Sequence, residues 1–114
     1  MTVEEFYIQY LQEALALPVS GDVPPNMPER FVTLELTGSS ADNHLYKPTL
    51  AVQSWAGSRE ASANLNDLVK NAMAESTKLP QVSRCQLETD YNFPDLERKH
   101  PRYQAIFQIV FLGG

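Results

Sequence analysis

The chain predicts an α+β domain of order α-β-β-α-β-β, with two helices on one face of a mostly antiparallel sheet of four to five strands. Three observations predict it. Apolar residues recur at spacings of three and four in two stretches, near residues 6–17 and 61–73. Four other stretches alternate apolar and polar side chains at period two. The strands keep one polar or mixed face, as expected of a sheet that helices cover on one side only.

The first helix is signalled by Thr2 and Glu5, spaced as a capping box whose side chains satisfy free amides of a helix start. Phe6, Tyr7, Tyr10, Leu11, Ala14 and Leu17 make its apolar stripe, and Pro18 ends it. Residues 18–30 carry Pro18, Pro24, Pro25 and Pro28, an extended and stiff connector because each proline fixes its own φ and biases its predecessor away from helix. A strand over 31–37 follows, with Val32, Leu34 and Leu36 on one face and Thr33, Glu35 and Thr37 on the other, closed by Gly38. The polar, aperiodic stretch that follows reads as a long mobile hairpin loop near 38–48.

TLAVQSWA, residues 49–56, is the next strand, with Leu50, Val52 and Ala56 opposite Gln53 and Trp55. Ser58 is a plausible N-cap, and Ala61, Leu65, Leu68, Val69, Ala72 and Met73 give the second helix its stripe out to about Thr77. VSRCQLET, residues 82–89, alternates Cys85 and Leu87 against Arg84, Gln86 and Glu88. A second mobile loop is expected near 91–102, before RYQAIFQIVF closes the chain with Tyr103, Ala105, Phe107, Ile109 and Phe111 on one apolar face.

At 114 residues and 12.8 kDa the whole chain, 1–114, reads as one domain. No apolar run approaches the length of a membrane span, and the acidic start MTVEEFYIQY is unlike a basic secretion signal, so a cytoplasmic protein is expected. The net charge of −5 argues against sequence recognition of nucleic acid, which wants a basic stripe. That charge is uneven. Residues 1–46 hold seven carboxylates against one base, Arg30, whereas residues 47–114 hold eight bases against seven acids. Such asymmetry suits a head-to-tail contact between copies.

Little in the sequence carries catalytic chemistry. His44 and His100 stand in polar loops without a second ligand at metal spacing and read as solvated histidines. Cys85, the only cysteine, reads as a small core residue. No glycine-rich phosphate loop and no serine-nucleophile context is present, and Asp95 and Glu97 alternate with bases as in a solvated charged loop. A non-enzymatic protein without cofactor or metal is the expectation. The candidates for function are therefore surface residues. Trp55 can pack under a loop or anchor an interface; Arg30 and Arg102, each between a short proline-containing segment and a strand-opening aromatic, can make ion pairs with a neighbouring subunit.

At these residues the chain resembles a family. V-x-x-x-V-P-x-x-x-P-x-x-F-V, from Val19 to Val32, leads into a strand ending in Thr37-Gly38. P-x-L-x-V-Q-x-W-A (Pro48–Ala56), the helix start Glu60–Ala61, Pro94–Asp95 and Pro101–Tyr103 follow in order. This succession resembles the tail-terminator proteins, also called tail-completion or head–tail joining proteins, of long non-contractile-tailed phages and prophages. The resemblance implies a structural subunit at the tail–head junction of the virion, assembled in the host bacterial cytoplasm. Its partners would be further copies of itself in a hexameric ring, the tail-tube protein and the head connector protein. The ring would cap the tail tube and end its polymerisation. Arg30, Thr33, Glu35, Thr37, Trp55 and Arg102 become candidates for the subunit or tail interface. Ser39, Ser40, Asp42, His44, Lys47, Asp95, Arg98 and Lys99 become candidates for docking loops. The sequence departs from the family where a second glycine often follows the Thr-Gly, since Ser39 stands there. Another head–tail connector or minor tail protein is the neighbouring alternative. A small-molecule-binding regulatory domain, with Trp55, Tyr46 and Gln53 about a pocket, is the alternative from a different class, and a hydrolase using Cys85 or a loop histidine is a third.

Overall fold

A computed structural model of the chain describes residues 1–42 and 44–112, and only the backbone of Asp42. Helix α1 spans Val3–Leu15, and the capping box forms: Glu5 donates its backbone N–H to Thr2 Oγ1, and Thr2 donates its own to Glu5 Oε1. The helix ends before Pro18 because Ala16 turns left-handed (φ 54°) and returns its N–H to the Gln12 carbonyl.

The sheet has five strands, β1 (Val19–Ser20), β2 (Phe31–Asp42), β3 (Leu45–Trp55), β4 (Val82–Asn92) and β5 (Arg102–Phe111), in the order β1-β2-β3-β5-β4. Helix α2 (Arg59–Glu75) joins β3 to the second strand pair, starts on the Ser58 cap and continues into a 3₁₀ turn at Ser76–Lys78. The α+β class and the two helices match the sequence reading. The mostly antiparallel sheet is corrected to a mixed one: β1 pairs parallel to β2, Val19 beside Val32. Two residues among prolines carry no period, so this strand is invisible to pattern. It is fixed instead by the Val32 N–H donating to the Pro18 carbonyl and by Gln12 Nε2 donating to the Val19 carbonyl.

Both helices pack on one face. Phe6, Tyr7 and Leu11 of α1 and Leu65, Val69 and Met73 of α2 meet Val32, Leu34, Leu50, Val52, Ala105, Phe107 and Ile109 in one buried cluster. Fully burying each such side chain contributes roughly 1.5–3 kcal/mol, so this layer supplies most of the drive to fold.

Two further expectations are corrected. The segment near 38–48 is strand: β2 and β3 stay paired from Gly38 beside Thr49 out to Asp42 beside Leu45, and the chain turns at His44, whose φ is 66°. Beyond the short β1 this part of β2 is an open edge of the sheet with Ser39, Ser40 and Ala41 exposed, so no buried face imposes the alternation that marks a strand. The second connection is shorter than 91–102, because β4 carries Tyr91 and Asn92 in register with Gln104 and Tyr103. Among the described residues no helix is long and apolar enough to cross a membrane.

Candidate functional site

The helix-free face of the sheet is organised around Trp55. Phe31 and Trp55 are register partners at the adjoining ends of β2 and β3, and their rings stack with centroids 5.2 Å apart and planes 12° apart. The Arg102 guanidinium lies 5.0 Å from the Trp55 ring centroid and 4.4 Å from that of Phe93, held between the two. His100 tilts against Trp55 at 5.6 Å. The indole is 1% exposed and within the single chain packs under Arg102 and His100.

From the indole a row of hydrogen bonds crosses the sheet. Trp55 Nε1 donates to Thr33 Oγ1 at 2.9 Å, and Thr33 donates to Gln53 Oε1 at 2.8 Å. Gln53 Nε2 donates to Gln104 Oε1 at 2.5 Å, and Gln104 Nε2 donates to the Tyr91 hydroxyl at 2.6 Å. Register explains the row, since Thr33 faces Gln53, Gln53 faces Gln104 and Gln104 faces Tyr91 across four successive strands. Thr33, Gln53 and Gln104 are buried, and each has a partner, as buried polar groups require.

The loop between β4 and β5 is tied down by Asp95. Its Oδ1 accepts the backbone N–H groups of Glu97 and Arg98, and Oδ2 accepts from Arg98 Nη1 at 2.7 Å. Asp95 and His100 exchange both backbone bonds, and Arg102 Nε donates to the Phe93 carbonyl at 2.6 Å. Lys99 takes the left-handed φ of 52° that this tight path needs. The Arg98 side chain and the backbone amides hold the Asp95 carboxyl below the usual carboxylate range.

Loop and sheet enclose a cleft of about 380 Å³ whose floor is Thr33, Gln53, Trp55 and Gln104. Arg98, Arg102 and Phe93 stand on its loop side; Asp22 and Glu35 are also on its lining. The cleft can hold a group bearing both charges or the side chains of a docked protein. Its buried groups are the Gln53 and Gln104 amides, the Thr33 hydroxyl and the Trp55 indole, already bonded to one another.

Of the sequence candidates, Thr33, Glu35, Trp55, Arg98 and Arg102 come together on this cleft, and Asp95 shapes its loop. Thr37 leaves the row, because the register shifts between Leu36 and Gly38 and makes it the extra residue of a bulge. Arg30, Ser39, Ser40 and His44 are exposed elsewhere, Lys47 lies far along β3, Lys99 borders another groove, and the Asp42 side chain is outside the described residues. Tyr46 does not join Trp55 and Gln53; it packs towards the helix-side core near Phe111. Reasoning from the sequence missed Phe31, Gln104, Tyr91 and Phe93 as members. For Gln104 the sequence carries only its place on the mixed face of β5; its pairing with Gln53 depends on strand order and register.

Cys85 is half-buried on β4, and burial pushes its thiol up to about 11, so it is not a thiolate near neutrality. Among the described residues no group of three or more histidine, cysteine, aspartate or glutamate side chains could hold a metal ion. No protein-family model matches the chain, and no curated protein matches it at a significant level.

Proposed function

We propose that the chain is a structural subunit of a phage or prophage tail, assembling as a hexameric ring that caps the tail tube, ends its polymerisation and joins tail to head connector. One observation carries this reading beyond the resemblance itself. The separate segments that resemble tail terminators, at Phe31–Val32, Gln53–Trp55, Asp95 and Pro101–Tyr103, converge on one end of the sheet and build a single cluster there. The open cleft beside that cluster, with opposite charges on its lining, suits contact with another protein surface.

Electron micrographs of particles made without this chain test the proposal. Overlong tails support a terminator. Tails of normal length without heads point to the neighbouring reading, a joining or connector component. Normal, head-bearing particles contradict both.

The cleft also favours a second reading, a domain that binds a small zwitterionic ligand against Arg98 and Arg102 on one hand and Asp22 and Glu35 on the other. A thermal-shift screen with amino acids and related metabolites separates this from assembly, since a bound ligand must raise the melting temperature.

A further inference from the structure

The molecule is elongated, 43 × 23 × 23 Å, and carries unlike apolar features at its two ends. At one end Leu96 projects from the β4–β5 loop and is 82% exposed. A large aliphatic side chain at the tip of a mobile loop would be ordinary, but this loop is fixed by the paired Asp95–His100 backbone bonds and by three bonds to the Asp95 carboxylate. A rigid support removes the ordering cost that a docking side chain otherwise meets.

At the other end a groove of about 440 Å³ opens between the start of α1 and the sheet, with Val3, Leu36, Tyr46 and Phe111 on its walls. It lies where Tyr46 pairs with Phe111, nine residues along both strands from the Trp55–Arg102 pair beside the Leu96 loop. At about 3.3 Å per residue the groove walls run from about 17 Å (Leu36, level with Leu50) to roughly 30 Å (Phe111) from that pair, so Leu96 cannot reach the groove of its own chain.

Charge selects the occupant. Glu4 and Glu5 border the groove, and α1 contains Glu13 but no base. Arg59 and Lys99 line the groove beside Leu96, and the Asp95 carboxylate there is already paired with Arg98, so these two bases outweigh Glu97, the acid next to Leu96 in sequence. We propose that Leu96 of one copy seats in the α1–Phe111 groove of a second copy, a head-to-tail contact with Lys99 and Arg59 facing Glu4. Because the two surfaces differ, the contact repeats from copy to copy and closes into a ring when the rotation allows. The inference rests on the proposed ring assembly and names the surfaces that build it.

Light scattering on the full chain and on Leu96→Glu and Leu36→Glu variants, alone and mixed, tests the contact. Each variant alone should be monomeric, with its association weakened about tenfold or more and its melting temperature close to wild type. The equimolar mixture should form a species of twice the chain mass, since one intact loop and one intact groove remain. Variants that keep the wild-type oligomeric mass overturn this contact and leave the ring proposal standing. A wild-type chain that stays monomeric at high concentration, with tail-tube protein present, overturns both.

Discussion

The guanidinium of Arg102 sits 5.0 Å from the centre of the Trp55 ring, closing the end of the sheet that Phe31 and His100 also cover. A cation desolvated over an indole contributes roughly 0.5–2 kcal/mol. Arg102→Ala should therefore destabilise the chain by about that much in urea titrations and open the indole to water. Trp55 is the only tryptophan, so its emission reports the site directly: a red shift and stronger quenching by acrylamide are expected. Unchanged quenching would mean that Arg102 does not cover the ring.

The bond row from Trp55 to Tyr91 makes a second prediction. Gln53→Leu removes the acceptor of Thr33 and the donor to Gln104 while keeping side-chain volume. Leaving both buried partners unsatisfied should cost on the order of 1–3 kcal/mol. Gln108→Leu, further along the same face of the sheet and half-buried, should cost far less. Equal losses from the two substitutions would show that the row contributes nothing beyond ordinary packing.

How far this cluster could be read in advance depends on which interactions set it. Period two placed Thr33 and Glu35 opposite Val32 and Leu34, and β5 was bounded at Arg102 and Phe111 because its apolar face has no gap. Thr2 and Glu5 announced α1 for the same reason: a cap is local. Alternation, however, gives a face and no register. Nothing in the chain said that Gln53 lies level with Gln104, or that Glu88 would bulge and bring Tyr91 beside it. The edge strand around Ser39 and Ser40 reads as loop in the sequence because its residues are exposed, and the pairing that orders it is between backbones.

The depressed carboxyl of Asp95 gives a pH dependence. Arg98 and the loop amides stabilise its ionised form in the folded chain, so the contribution is present above the unfolded carboxylate value. It is lost as pH falls through the lower folded value. In Asp95→Asn the charge is absent at every pH. The melting temperature of wild type should exceed that of Asp95→Asn at neutral pH, and the gap should narrow below about pH 4. Asp90, held low by Lys70 in both proteins, cancels in the comparison. A gap that stays constant down to strong acid would contradict the role given to the Asp95 charge.

Cys85 offers a check on the buried side of the sheet. Its thiol is raised from 9.0 to about 11, chiefly by burial. At pH 8 this lowers the thiolate fraction about a hundredfold relative to an unshifted cysteine. Labelling by an aromatic disulfide should be slower in the native chain by at least that factor than in urea. Native and unfolded rates within about threefold of each other would show the thiol to be open and ordinary.

The central claim, that the chain is a ring-forming tail subunit, is tested most directly by the mass of the assembled species. Multi-angle light scattering of the protein at high concentration should show six times the 12.8 kDa of one chain, or, on addition of tail-tube protein, a complex heavier than the tube protein by that amount. A species that remains at the single-chain mass under both conditions would contradict the proposal.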